Sequence, residues 1–267
     1  MRLLEGQTAL VTGSSRGIGR AIALKLADAG AEILIHYHQN EAAAQSVARE
    51  ISGHSRLLKA DLGLPKTIDA MFEGLGTRLH ILVNNAGVWG PTPLGSTSVQ
   101  QLEAMLDTNL KGLFWITQAA LPYLEDGANI VNISSVAGRI GIAAGRSLYG
   151  ATKAAVDSFT KSWALELSPR KIRVNAVAPG YVEGDMTAEH FSNPEVLRRA
   201  IERSPFGRLG NADEVADVVL FFVLTSSALD YRAVAQRQRR LRDLIRYRST
   251  AIATAFPPPR HNAAIPR

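Results

Sequence analysis

The amino-acid sequence predicts an α/β fold in which a doubly wound parallel sheet is covered by helices on both faces. Three observations carry the prediction. Over the first 180 residues, short β-branched runs alternate with longer helical patterns. The runs are apolar, as strands buried on both faces must be, and a glycine-rich turn joins the first run to the first helix.

Taken in order, "TALVTG" reads as a strand ending in glycine. "RAIALKLADAG" follows, where Ile22, Leu24, Leu26 and Ala27 mark a helix and Gly30 its stop. Next come the strand "EILIHY", a helix over "NEAAAQSVAREI", the strand "RLLKADL", a helix from about Leu64, and the strand "HILVNNAG". A long helical stretch from Ser98 to about Tyr123 leads to the strand "NIVNISS". "YGATKAAVDSFTKSWALEL" is a helix and "IRVNAVAPG" a sixth strand. "GDMTAEHFSNPEVLRRAIERSPFGRLG" is expected to be a mobile insertion over the sheet's C-terminal edge. "NADEVADVVLFFVL" then opens with an Asn/Asp cap and continues as an amphipathic helix.

The chain has 267 residues, a net charge of +6 and no cysteine. Its length suits one large α/β domain or two small ones. Without cysteine there is no disulfide, thiolate metal site or cysteine nucleophile, which suits a reducing cytoplasm, and no metal site is expected. "MRLLEGQTALVTG" lacks the apolar core of a signal peptide. The most apolar stretch, Val218 to Leu224, falls far short of the roughly 18 residues of a membrane span. A cytoplasmic protein with no membrane partner is therefore expected.

The charge is unevenly placed. From Ala228 onward there are nine arginines, no lysine and two acids, Asp230 and Asp243, so this tail carries +7 and residues 1–227 carry −1. All 22 glycines lie at or before Gly210. On a helix, Arg237, Arg239, Arg240, Arg242, Arg246 and Arg248 would fall at about 0, 200, 300, 140, 180 and 20°, a ring rather than a face. Nucleic-acid binding needs one basic face or interleaved aromatics, so a solvated, weakly ordered tail is expected instead.

The first turn, "TGSSRGIG", runs from Thr12 to Gly19. Gly13, Gly17 and Gly19 permit a tight turn, close approach of a pyrophosphate, and a helix N-terminus aimed at its charge. An acid at the end of the second strand would accept from a ribose 2′-OH. Here that position is Tyr37, with no acid until Glu41, and Arg16 lies inside the glycine turn. A carboxylate would repel a 2′-phosphate, so NADP(H) is expected over NAD(H). In "YGATK", Tyr149 and Lys153 share one helix face, where an ammonium would favour phenolate and lower the tyrosine pKa into working range for acid–base chemistry.

"TGSSRGIG", "NNAG" from Asn84, "NLKG" from Asn109, "ISS" from Ile133, "YGATK" and "PGYVEGDM" from Pro179 occur in the order and spacing of the short-chain dehydrogenases/reductases. The sequence resembles that family from about Leu4 to about Leu224, and is most similar to bacterial reductases of the 3-oxoacyl-carrier-protein reductase type. The resemblance implies a Rossmann-type sheet in the order 3-2-1-4-5-6 and an NADP-dependent carbonyl reductase or alcohol dehydrogenase. It also implies roles. Tyr149 would exchange a proton with the substrate oxygen, and Lys153 would hold the nicotinamide ribose and depress the Tyr149 pKa. Ser135 would bind the substrate oxygen, and Asn109 would bend its helix and anchor a proton-relaying water. Gly13, Ser15, Arg16, Gly17, Ile18, Gly19, Tyr37 and His38 would contact the cofactor, as would Asp61, Leu62, Asn85, Ala86, Gly87, Tyr149, Lys153, Pro179, Gly180 and Val182. Trp89, Tyr181 and Met186 would border the substrate pocket.

The sequence departs from the family in four places. Ser135 and Tyr149 are fourteen positions apart, one more than usual, so the loop between them must bulge. Gly184 stands where relatives commonly have threonine. "YLEDGAN" replaces a basic stretch, which weakens an acyl-carrier-protein partner although Arg170 and Lys171 remain near the other docking position. Finally, no last strand ending in a glycine pair follows "LTSSALDY", so a seventh strand is expected to be missing. These readings divide the chain into a catalytic domain, 1–227, and an atypical Arg/Pro-rich tail, 228–267, that is disordered or the product of a reading-frame shift near Tyr231. Relatives form tetramers. A homodimer through the long helices, or a homotetramer, is the expected assembly. The alternative is a nucleotide-binding protein that has lost catalysis, or one that binds nucleic acid through the tail.

Overall fold

The computed structural model describes residues 3–142 and 145–224. The arginine-rich tail, the seventh strand and the boundary at residue 227 all lie outside them. Six parallel strands form one sheet in the order β3-β2-β1-β4-β5-β6. They are β1 (Thr8–Val11), β2 (Glu32–Tyr37), β3 (Ser55–Lys59), β4 (Leu79–Asn84), β5 (Leu124–Ile133) and β6 (Arg173–Val177). The expected order is the observed one.

Alternation along the strands builds two cores. Ala9, Val11, Ile33, Ile35, Ile81, Val83 and Val131 point to one face and pack with α1 (Gly17–Asp28), α2 (Glu41–Glu50) and α9 (Ala212–Leu224). Leu10, Leu34, Leu82 and Ile130 point to the other, against α3 (Pro65–Phe72), α5 (Leu113–Ala120) and α6 (Ser147–Glu166). Each fully buried Leu, Ile or Val contributes about 1.5–3 kcal/mol, so covering both faces is what drives the helices onto the sheet. The pairing Leu10↔Leu34 and Leu10↔Leu82 keeps the register of both cores continuous across β1.

The predicted Ser98–Tyr123 helix is interrupted. α4 (Val99–Leu106) is opened by a capping box between Ser98 and Gln101 and passes into a π-helical turn, Asp107–Gly112, before α5 begins. The segment after β6, expected as a mobile insertion, forms two helices, α7 (Asp185–Phe191) and α8 (Pro194–Arg203). Asn193 caps α8 by accepting from the amides of Glu195 and Val196, and Arg198 pairs with Glu195 and Glu202 along it. The cap expected on α9 is present: Asn211 accepts from the Glu214 amide and Glu214 accepts from the Asn211 amide.

Candidate active site

The strand order reverses between β1 and β4, which opens a crevice at their C-terminal ends. Thr12 seals the junction. Its hydroxyl donates to the Val83 carbonyl and accepts from the amides of Asn85 and Ala86 at 2.9 and 3.0 Å. Asn85 returns the tie through Nδ2, which donates to the Thr12 and Gly13 carbonyls. Gly13 (φ 63°) and Gly17 (φ 55°) use the left-handed conformation that glycine adopts without strain. The backbone is therefore bare where the turn meets the N-terminus of α1.

Two groups in this turn escaped sequence reasoning. Thr12 belongs to the motif but bridges to residues more than 70 positions away. His36 is fully inside β2, accepts from the Gly13 amide at Nδ1 (3.0 Å) and reaches the Ala60 carbonyl with Nε2 (3.2 Å). Because Nδ1 accepts, the proton sits on Nε2. Burial pushes the His36 pKa down to about 4, which keeps the ring neutral. Their contacts are not local, because the partners lie in other segments of the chain: Val83, Asn85 and Ala86 for Thr12, Gly13 and Ala60 for His36.

A cavity of about 600 Å³ runs from this turn across the crevice. It is lined by Gly13, Ser15, Arg16, Gly17, Ile18 and Gly19; by Tyr37, His38, Asp61 and Leu62; and by Asn85, Ala86 and Gly87. Ser135, Tyr149, Lys153, Pro179, Gly180 and Val182 complete the predicted set on the same surface. Among the predicted catalytic and cofactor-binding residues, Asn109 alone is outside the lining. It is buried in the π turn one layer behind, where its Oδ1 accepts from the Val88 amide (2.7 Å) and its Nδ2 donates to the Val88 carbonyl (2.9 Å) and to Thr152. Met186 lines the cavity as expected, whereas Trp89 and Tyr181 turn away to pack on α7.

At the adenine end, as the resemblance would have it, Tyr37 is buried and His38 faces Asp61 at 3.5 Å. Arg16 is exposed and makes no ion pair among the described residues. The last residue of β2 is Tyr37 rather than an acid, with Glu41 beside its phenol, and with Arg16 at the cavity edge the residues fit a cofactor carrying a 2′-phosphate.

At the other end, Ser135, Tyr149 and Lys153 converge. The turn Val136–Gly138 sits hard on α6: a Cβ on Gly138 would lie 2.6 Å from the Lys153 carbonyl carbon, and one on Gly150 would lie 2.9 Å from the Ala137 carbonyl oxygen. This close approach brings Ser135 and Tyr149 to one stretch of the cavity wall across the fourteen-residue interval, with the Ser135 hydroxyl accepting from the Ala137 amide at 3.1 Å. The intervening loop is tied back through Gly145 (φ 68°), whose carbonyl accepts from the Thr92 amide at 2.6 Å. Lys153 is buried, with Nζ donating to the Ile133 carbonyl at 2.8 Å and lying 5.8 Å from the centre of the Tyr149 ring.

One electrostatic expectation is corrected here. Lys153 does not draw the Tyr149 pKa down. Burial raises it, opposed by the hydrogen bond with Ser135, while burial pushes Lys153 itself down to about 8. The buried Lys153 ammonium is turned toward the Ile133 carbonyl. The tyrosine is thus a protonated acid at neutral pH.

A glycine-lined crevice at a switch point, with a serine, a protonated tyrosine and a lysine at its far end, defines a Rossmann-type oxidoreductase. A family model described as "Enoyl-(Acyl carrier protein) reductase" matches residues 13–229. The 3-oxoacyl-[acyl-carrier-protein] reductase FabG of Aquifex aeolicus is 42% identical over 226 residues, covering 82% of this chain and 90% of that protein. Among solved structures, the angucycline C-6 ketoreductase LanV with bound NADP superposes with a TM-score of 0.77 at 38% identity, covering 82% of this chain and 89% of that one. A short chain dehydrogenase from Burkholderia cenocepacia in complex with NADP gives 0.77 at 36%, covering 84% and 92%. The chain belongs to the short-chain dehydrogenase/reductase family.

Proposed function

We propose that this oxidoreductase moves a hydride between NADP(H) and a small carbonyl or secondary alcohol, with Tyr149 exchanging the proton at the substrate oxygen. The observation that carries the reading is the convergence of Ser135, Tyr149 and Lys153 at the end of the cavity that begins at the glycine turn. NADP(H), when bound, supplies or accepts the hydride. Ser135 holds the carbonyl oxygen against the phenol, and Tyr149, protonated at neutral pH, gives up its proton as charge develops there. Lys153, which donates to the Ile133 carbonyl, would hold the nicotinamide ribose. Asn109 fixes Val88 and the wall of the cavity. Gly13 to Gly19 take the pyrophosphate, Arg16 the 2′-phosphate, and Tyr37, His38, Asp61 and Leu62 the adenosine. Asn85 to Gly87, Pro179, Gly180 and Val182 flank the nicotinamide side.

A free ketone is favoured over a carrier-bound thioester. Arg170 donates to Asp126 and to the carbonyls of Leu121 and Leu124, so it is engaged within the chain. Lys171 alone of the two expected docking cations is exposed and unpaired by any ion pair among the described residues. The test is NADPH oxidation against a panel of ketones and 3-oxoacyl thioesters, free and carrier-linked. Tight NADPH binding with no carbonyl reduced would sink the reading and favour the non-catalytic alternative.

Assembly as a homodimer or homotetramer is part of the same reading. Val99 and Leu102 on α4, Trp115 on α5 and Leu165 on α6 leave apolar surface exposed, and a gel-filtration mass tests it. Among the described residues no helix is long and apolar enough to cross a membrane. A cytoplasmic location is proposed from the cysteine-free composition. We read residues 228–267 as frame-shifted. The family match stops at residue 229, and from Ala228 onward the chain carries nine arginines with neither glycine nor lysine, the last glycine being Gly210 and the last lysine Lys171. Translating the other two frames of the coding DNA past Tyr231 tests this, and the idea is wrong if neither yields a short strand ending in a glycine pair.

A further inference from the structure

α7 carries Met186 and Thr187 to the cavity wall, yet it is seven residues long and buries none of its side chains. So short an element, without core contacts of its own, has to be held in place by its neighbours. A cluster of side chains does this. Arg146, at the N-cap of α6 and three residues before Tyr149, lays its guanidinium carbon 3.6 Å above the Trp89 ring. Its Nη2 donates to Nδ1 of His190 at 3.2 Å. The His190 ring stands edge-on to Trp89, 5.0 Å between centres, and packs on Phe191, which packs on Tyr181. The cluster joins the segments after β4 and β6, the start of α6, and α7. Arg146 makes no ion pair among the described residues, and its Nη1 is buried without a partner, so stacking and the bond to His190 hold the guanidinium.

We propose that Arg146 is a positioning residue for the reaction: through Trp89 and neutral His190 it holds α7 as the outer wall of the substrate cavity, and protonation of His190 releases that wall. The chemistry is one-directional. Nδ1 can accept from Arg146 only through its lone pair, and a proton placed there replaces the bond with two cations in contact. Arg146 is the charged group facing His190 across the cluster, while Trp89 and Phe191 present uncharged rings. Burial first, and Arg146 second, hold the His190 pKa below its ordinary value. The wall is therefore closed at neutral pH and opens on acidification.

The inference rests on the reading of the cavity as a substrate site, but its test does not need turnover. Hydrogen exchange is followed in the full chain at about pH 7.5 and about pH 5.5, as protection factors normalised for intrinsic rate. At the higher pH, Arg146→Ala and His190→Phe are expected to lower the protection of residues 185–192 by about tenfold, the size of one charge-assisted hydrogen bond, with α1 and α9 unchanged. Wild type is expected to lose the same protection at the lower pH. His190→Gln keeps an acceptor and cannot titrate, so it is expected to stay protected at both. In kinetics, Arg146→Ala is expected to raise KM for the carbonyl substrate about tenfold, with kcat and NADPH affinity unchanged. Wild-type protection at 185–192 in Arg146→Ala, or a His190→Gln variant that follows wild type with pH, overturns the proposal. Failure of every carbonyl to react would instead overturn the reading of the function, with the exchange result still deciding what holds α7.

Discussion

Gly19 lies so close to Gly13 that a Cβ on it would sit 2.3 Å from the Gly13 carbonyl oxygen and 2.4 Å from Nδ2 of Asn85. Neither atom can yield cheaply, because one is backbone and the other holds the β1 and β4 loops together. Gly19→Ala is expected to push the turn off α1 at about 1–3 kcal/mol, weakening NADPH binding ten- to a hundredfold. Fluorescence titration with NADPH checks this, and unchanged affinity would mean that the turn has slack which the glycine contacts do not reveal.

His36 links the same turn to the pH dependence of stability. Its folded pKa of about 4 lies below the ordinary value of 6.5, so between those values the unfolded chain binds a proton that the folded chain excludes. Stability therefore rises with pH across that window. About 3 kcal/mol is present above pH 6.5 and is lost as the pH falls toward 4. Urea midpoints measured from pH 7 to 4.5 should fall in wild type and fall less steeply in His36→Asn, which keeps an acceptor for the Gly13 amide but does not titrate.

Tyr149→Phe keeps the ring and removes the proton. It is expected to lower kcat by about 10²- to 10⁴-fold while NADPH affinity holds within about twofold. Parallel stopped-flow and titration measurements separate the two effects, and a variant that retains its kcat would show that the proton comes from elsewhere.

Arg16 is exposed at the cavity edge, and its expected partner is a 2′-phosphate that NADH lacks. One charge-assisted hydrogen bond is worth about 1.5–3 kcal/mol, so Arg16→Ala should cut the preference for NADPH over NADH about tenfold or more. Comparing kcat/KM for the two cofactors in both proteins measures it.

Asn109 satisfies both backbone polar groups of Val88 from inside the π turn. Asn109→Ala leaves them without partners at about 1–3 kcal/mol each. A drop in Tm of several degrees is the expected outcome in a thermal melt.

Much of the fold was legible because strand and helix periods are local. β2 was recognisable from "EILIHY" and α6 from its helical spacing, and the parallel arrangement followed from strands apolar on both sides. The π turn at Asn109 was not, since nothing in "DTNLKG" distinguishes it from an α-helical turn until Gly112 meets Leu62, where a Cβ would lie 2.9 Å from the Leu62 carbonyl oxygen. α7 was missed because it buries none of its side chains, whereas α8 carries a strong amphipathic contrast and was passed over inside a segment read as an insertion. Trp89 and Tyr181 were expected at the pocket from their place in the chain, which carries no side-chain direction, and both pack on α7 instead.

By itself the sequence determined the order of strands and helices, the glycine turn, the pairing of Tyr149 with Lys153 on one helix face, and the absence of an acid at the end of β2. Those are properties of spacing and residue chemistry within a few positions. Only the tertiary structure decided that His36 stays neutral beneath Gly13, that Tyr149 is held protonated, that Lys153 turns to Ile133, and that Arg146 reaches α7 through Trp89 and His190. Each depends on burial or on a partner distant in the chain. Desolvation and long-range contact exist only once the sheet has closed its two cores.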